Sequence, residues 1–303
     1  MEAATIVFKQ IMTMFLFMLA GYVLVKSGKL SEQGSRDLAS MLIWLVIPAT
    51  LVNSFCIAFS PEKLAELVQS SLLGALALGL AILIARLLLH RRPIDEFAAS
   101  FSNAGFIGIP LVMASLGSEA VFYTVGIIAL MNILQWTYGV RILTGKRGTV
   151  SLRGILLSPV VIAVLAGLVI FVTGLGARLP VVVSGALQGI AALNAPLAMM
   201  VLGAYFARVD VRAMFVNARL YLLAAIRLLL IPLLTVLAFR LTGLPRTMYT
   251  AVLISASAPV GVNVAVYAQL HGLDYAYASE TVVLSTLLSV IFQPLVLMLA
   301  GML

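Results

Sequence analysis

Apolar residues run along the chain in long stretches, each ended by a short polar gap. Ten such stretches can be marked, over 4–25, 37–58, 64–89, 95–116, 119–142, 152–174, 184–207, 215–242, 246–269 and 274–300. About 20 mostly apolar residues suffice for a helix to cross the hydrocarbon core of a bilayer. The runs lack period-two alternation, so they predict helices rather than barrel strands. The most loop-like gaps are KSGKLSEQGSR (26–36) and RILTGKRGTVSLR (141–153), and no gap is long enough for an inserted soluble domain. The expected fold class is an all-α polytopic membrane protein with ten transmembrane helices.

Composition agrees with this pattern. Apolar residues make up 63% of the chain and charged residues 10%, against about 45–50% and 25% in soluble domains. So few charges cannot cover a water-facing surface of this size. The net charge of +8 does not point to nucleic acid, because the basic residues sit in the gaps between apolar runs and form no basic face. Alternate gaps hold thirteen of the 19 Lys and Arg residues: Lys26, Lys29, Arg36, Arg86, Arg91, Arg92, Arg141, Lys146, Arg147, Arg153, Arg208, Arg212 and Arg219. The other side has Lys9, Lys63, Arg178, Arg240 and Arg246, and Arg227 lies inside the eighth run. The positive-inside rule then places both termini on the non-cytoplasmic side, with the cell inner membrane as the expected location. Glu2 is acidic and no small-residue cleavage site follows Ala20–Gly21, so the first run is expected to be a retained helix. The lone Cys56 has no ligand-spaced partner, and neither a metal nor a cofactor is expected.

The two halves of the chain look alike. FAASFSNAGFIGIPLVMASLGSEAVFY begins at Phe97 and LISASAPVGVNVAVYAQLHGLDYAYAS at Leu253; aligning Gly117 with Gly272 lays predicted helix four on helix nine. Five helices per half make the second copy enter the membrane upside down, the inverted-repeat arrangement of many secondary transporters. Asn103, Gly105, Gly108 and Pro110 interrupt helix four in mid-membrane; Pro259, Gly261 and Asn263 interrupt helix nine. Proline lacks an N–H and glycine weakens a helix, so both segments are expected to unwind. Unwound backbone must line protein or a watery cavity, since unpaired polar groups are costly in lipid. The half-helix N-termini would then offer N–H donors and a positive dipole end to a carboxylate, with Asn103 and Asn263 adding amide donors.

SNAGFIGIPLVMASLGSEAVF and SASAPVGVNVAVYAQLHGLD resemble the fourth- and ninth-helix signatures of the auxin efflux carrier family, which includes the plant PIN-type exporters and many bacterial permeases. LIWLVIPATLVNSF, MNILQWTYGV, NAPLAMMVLGAYFA and LSTLLSVIFQPLVLML are similar to its second, fifth, seventh and tenth helices, so the likeness spans the chain. The resemblance implies a fold similar to bile-acid/sodium symporters, with broken helices four and nine crossing. It implies a scaffold, often dimeric, over 1–60 and 151–212, and an elevator-like transport unit over 61–150 and 213–303. It implies auxin-like or malonate-like carboxylates as substrates and no enzymatic activity. The short gap between helices five and six favours a bacterial permease over a plant exporter, whose loop there is long. Val264 stands where plant exporters tend to have a second proline.

Other polar residues have open readings. Met113 and Tyr267 follow the breaks and would wall a site or simply pack; Asn132 and Gln135 would face the crossing or join neighbouring helices. Arg227, deep in helix eight, is either a countercharge for substrate or for Glu280, or a cap on the carbonyls of a broken helix. Glu280 would carry a coupling proton or act as a structural partner; protons or sodium are the candidate coupling ions. A cation/proton antiporter of similar architecture is the main rival. An intramembrane enzyme is a weaker one, since no HExxH, GxSxG or nucleophile–base pair is present.

Overall fold

In the computed structural model, residues 2–145, 154 and 156–302 are described; Lys146, Arg147 and Arg153, used above for orientation, lie outside them. The described residues form helices α1 (Glu2–Lys26), α2 (Glu32–Ser54), α3 (Pro61–Leu89), α4 (Pro93–Ser100), α5 (Ala104–Leu116), α6 (Ser118–Thr144), α7 (Pro159–Val172), α8 (Val181–Phe206), α9 (Val211–Val216), α10 (Ala218–Arg240), α11 (Arg246–Ser257), α12 (Asn263–Leu270) and α13 (Tyr275–Met302). Seven of these are long and apolar enough to cross a membrane, and α5 and α7 are shorter apolar helices. The predicted fourth and ninth helices are each two pieces: α4 with α5, and α11 with α12.

Proline and serine set many of the boundaries. Pro61, Pro93 and Pro159 each open a helix, where the missing N–H costs nothing. Ser60 and Ser158 cap α3 and α7, their hydroxyls accepting from the N–H of Lys63 and Val161 at 3.2 Å each. Of the prolines inside helices, three are preceded by isoleucine. Ile47–Pro48, Ile109–Pro110 and Ile231–Pro232 each follow a five-residue π-turn, at Leu42–Val46, Ala104–Gly108 and Ile226–Leu230. Widening the preceding turn makes room for a ring that would clash with the carbonyl four residues back.

This corrects one expectation. Gly105, Gly108 and Pro110 do not unwind the chain. The π-turn absorbs Pro110, and the unwound stretch is the shorter Phe101–Asn103 segment just before it.

Glycine permits close packing at a seam away from the breaks. α1 packs along Asn194–Phe206 of α8. A Cβ on Gly203 would lie 1.9 Å from the Met18 carbonyl oxygen, and one on Gly21 2.1 Å from that of Met200. Small residues let helix backbones approach this closely in membranes. α7 and the first half of α8 pack on the end of α2, while α3 packs on α4, α6 and α11. Cys56 falls just past α2, and partial burial pushes its thiol upward from the ordinary value.

Candidate functional site: the crossing of two broken helices

The two unwound segments meet. Ser102 and Val260 form an antiparallel bridge, with the Asn103 N–H donating to the Pro259 carbonyl at 2.8 Å and the Gly261 N–H to the Phe101 carbonyl at 3.0 Å. Each break thus satisfies part of the other's backbone, as a stretch without helical hydrogen bonds in lipid requires. The approach needs glycine at position 261, where a Cβ would lie 2.9 Å from the Ser102 carbonyl oxygen.

The closing end of α11 leaves carbonyls that the helix itself cannot pair, and side chains from elsewhere satisfy them. Gln293 donates to Ile254 at 3.2 Å and Ser102 to Ser255 at 2.8 Å. Arg227 donates to both Ala256 and Ala258. The Val260 N–H is held by the Ser285 hydroxyl at 3.1 Å. Arg227 therefore caps carbonyls. Neither it nor Glu280 is in an ion pair among the described residues.

The opening ends of α5 and α12 face a cavity of about 490 Å³. Among the described residues, no backbone acceptor is paired with the N–H groups of Ala104, Gly105, Val262 or Asn263, and all four residues line this cavity. Asn103 caps α5, its Oδ1 accepting from the Phe106 N–H at 3.3 Å. Its Nδ2 is buried without a partner, as is Oδ1 of Asn132 on the cavity wall. Asn263 differs: its Nδ2 donates to Gln135 Oε1 at 2.6 Å, tying α12 to α6.

Of the residues proposed from sequence, Asn103, Gly105, Asn132, Gln135, Gly261, Asn263 and Tyr267 line the cavity. Gly108, Pro110 and Met113 lie further along α5, and Pro259 lies in the paired segment with its carbonyl engaged by Asn103. Sequence reasoning missed the apolar wall. Both tryptophans of the chain, Trp44 and Trp136, line the cavity, with Phe106, Met131 and the α7 cap Ser158. Trp136 meets Tyr267 edge-on at 5.4 Å between centroids. Trp44 lies in the π-turn of α2, and Trp136 in a further π-turn at Gln135–Gly139. Among the described residues, three of the four π-turns thus contribute to the cavity wall, and the fourth carries Arg227. Single π-turns are rare and frequent at functional sites. Two tryptophans in the interior of apolar runs, rather than at their ends, were the available signal.

A pair of buried acids also escaped notice. Asp95 accepts from Arg219 Nε and from the Tyr277 hydroxyl, at 2.7 Å each. Its neighbour Glu96 is held by Arg86 at 3.3 Å and the Tyr138 hydroxyl at 2.9 Å. Neither lines the cavity.

Described residues that are all-helical in architecture, with seven bilayer-length helices among them and a cavity at an interrupted-helix crossing, make this a polytopic membrane protein. The chain belongs to the family described as "Membrane transport protein", whose sequence profile matches residues 6–152 and 146–297; this family takes in the auxin efflux carriers. It is 28% identical over 301 residues to an "uncharacterized transporter" of Methanothermobacter thermautotrophicus, covering 94% of this chain and 95% of that protein. It is 27% identical over 227 residues to a protein of Rhizobium meliloti named "putative malonate transporter", covering 71% of this chain and 69% of the other.

Proposed function

We propose that this membrane transporter is a secondary carrier of small organic anions, chiefly carboxylates, working by alternating access. One observation carries the reading. Ala104, Gly105, Val262 and Asn263, whose N–H groups have no backbone acceptor among the described residues, line a cavity together with Asn103, whose buried amide nitrogen has no partner, and the described lining contains no charged side chain. Neutral donors at two helix N-termini suit an anion, and a site without a full countercharge can let its guest leave again. The name of the Rhizobium meliloti relative supports malonate-like substrates.

Counting α4 with α5, and α11 with α12, as one broken crossing each gives ten crossings as a 5+5 inverted repeat. The antiparallel pairing of Ser102 with Val260 supports that symmetry. So does the shared ending of α5 and α12, at Gly117 (φ 91°) and Gly272 (φ 66°). In this reading α1, α2, α7 and α8 are the scaffold of a homodimer in the inner membrane, and α3–α6 with α10–α13 move as an elevator. The start of α7 lines the cavity and follows the basic α6–α7 connection in sequence, so in this reading that side of the cavity faces the cytoplasm.

The buried Asp95–Glu96 pair favours the rival reading, a cation/proton antiporter. Both carboxylates are already engaged by arginine and tyrosine and stand outside the cavity, which supports a structural role instead. A proteoliposome screen of labelled mono- and dicarboxylates, with and without ion gradients, decides between them. The anion reading expects saturable carboxylate flux. Proton flux under a pH gradient alone, with no carboxylate carried, would replace it with the antiporter.

A further inference from the structure

One interior charge takes no part in the proposed anion site. Arg227 is 1% exposed, does not line the cavity, and meets no carboxylate within ion-pair distance among the described residues. Carbonyl oxygens surround it instead. Its Nη1 donates to Ala99 at 3.0 Å, its Nε to Ala258 at 3.1 Å and its Nη2 to Ala256. Ala99 lies in the last turn of α4; Ala256 and Ala258 lie at and just past the end of α11. These are the closing ends of the first pieces of both broken helices.

A helix C-terminus carries a partial negative charge and carbonyls with no N–H partner. Two such ends meeting in the interior make a cluster of oxygens that needs a cation. In membrane carriers with interrupted helices, carbonyls of this kind coordinate the coupling cation. The surrounding donors at this crossing, Ser102, Ser285 and Gln293, are neutral, so the positive charge comes from Arg227 alone.

We propose that Arg227 is a tethered cation: its guanidinium occupies the place of an alkali coupling ion, and removing the side chain turns that place into an alkali-cation site. The binding half of this rests on the carbonyl geometry, and only its consequence for flux rests on the transport reading. With the cation built into the chain, the wild-type protein needs no sodium or potassium to carry its anion.

The test compares the wild type, Arg227→Ala and Arg227→Lys in detergent. Thermal unfolding is followed by tryptophan fluorescence at matched ionic strength in sodium, potassium or choline chloride, with or without low-millimolar methylguanidinium. The wild type is expected to melt at the same temperature throughout. Arg227→Ala is expected to melt lower in choline and to recover at least half of that loss with sodium, potassium or methylguanidinium. Arg227→Lys, which keeps a tethered charge, is expected to be insensitive to the salt. In proteoliposomes, anion flux by Arg227→Ala should rise at least fivefold from choline to the rescuing cation, while wild-type flux stays within twofold. Specific stabilisation of the wild type by sodium or potassium overturns the proposal. So does an Arg227→Ala variant, stable or unstable, that responds to no cation. Cation-dependent melting of Arg227→Ala without any transported carboxylate would instead sink the transport reading and leave the tethered cation standing.

Discussion

The two breaks carry the same residue, asparagine, at the start of the half-helix that follows, yet the structure uses the two side chains differently. Asn103 spends its oxygen on capping α5 and keeps its amide group buried without a partner, next to the cavity. Asn263 has already committed its amide group to Gln135. The first break therefore presents an open donor and the second a closed strut. On the proposed reading, the same residue at the two breaks would divide its roles: Asn103 would meet the guest, while Asn263 ties α12 to α6.

That contrast breaks most readily at Asn103. Asn103→Asp retains the cap, since aspartate caps helix starts as well as asparagine does. It also replaces the free donor with a negative charge aimed at the anion. Losing a charge-assisted hydrogen bond costs about 1.5–3 kcal/mol, and like-charge repulsion adds to that. Carboxylate affinity, read from quenching of Trp44 and Trp136, should fall at least about 100-fold, at about 1.4 kcal/mol per tenfold, and the melting temperature should fall as well, since the new carboxylate oxygen is buried without a partner. Unchanged affinity would remove Asn103 from the site.

The glycines of the two breaks should separate next. A Cβ on Gly261 meets the Ser102 carbonyl oxygen at 2.9 Å, whereas one on Gly105 meets only the tip of the Ile47 side chain, at 3.6 Å. Gly261→Ala must push the paired segments apart, an overpacking cost of about 1–3 kcal/mol. Gly105→Ala has ordinary contacts to accommodate and should stay within about 0.5 kcal/mol. Thermal melts of the two purified variants check this. Equal destabilisation would mean that the close approach is confined to neither break.

The position of the crossing was legible in the sequence; its detail was not. Asn103, Gly105, Gly261 and Asn263 sit in motifs whose composition announces an interruption, and the cavity forms against them. The extent of the first interruption was misjudged because Pro110 was read as a breaker, when an Ile-Pro pair after a π-turn is tolerated inside the helix, as at Pro48 and Pro232. The bond from Asn263 to Gln135 joins residues 128 positions apart, and Arg227 reaches Ala99 across the same separation. Periodicity and composition along the chain hold no information about such pairings. Arg227 was visible as an anomalous charge, but choosing between countercharge and cap required knowing which oxygens surround it. Likewise nothing along the chain sets Asp95 and Glu96 apart from other acids; packing buries both.

The smallest effect expected on binding, and the one that most sharpens the contrast, concerns the strut. Asn263→Ala and Gln135→Ala each remove one partner of a single 2.6 Å hydrogen bond. If Asn263 is chiefly a strut, each change should weaken carboxylate binding only about three- to tenfold, by loosening α12 against α6 rather than by deleting a donor to the guest; a typical hydrogen bond contributes about 0.5–1.5 kcal/mol net. The double variant should then be no worse than the poorer single one, giving a coupling energy of about 0.5–1.5 kcal/mol in a double-mutant cycle. If Asn263 instead contacts the anion directly, Asn263→Ala should match Asn103→Ala in its loss and the cycle with Gln135→Ala should be additive. Additivity would restore the two asparagines to equal roles and remove the division between the breaks.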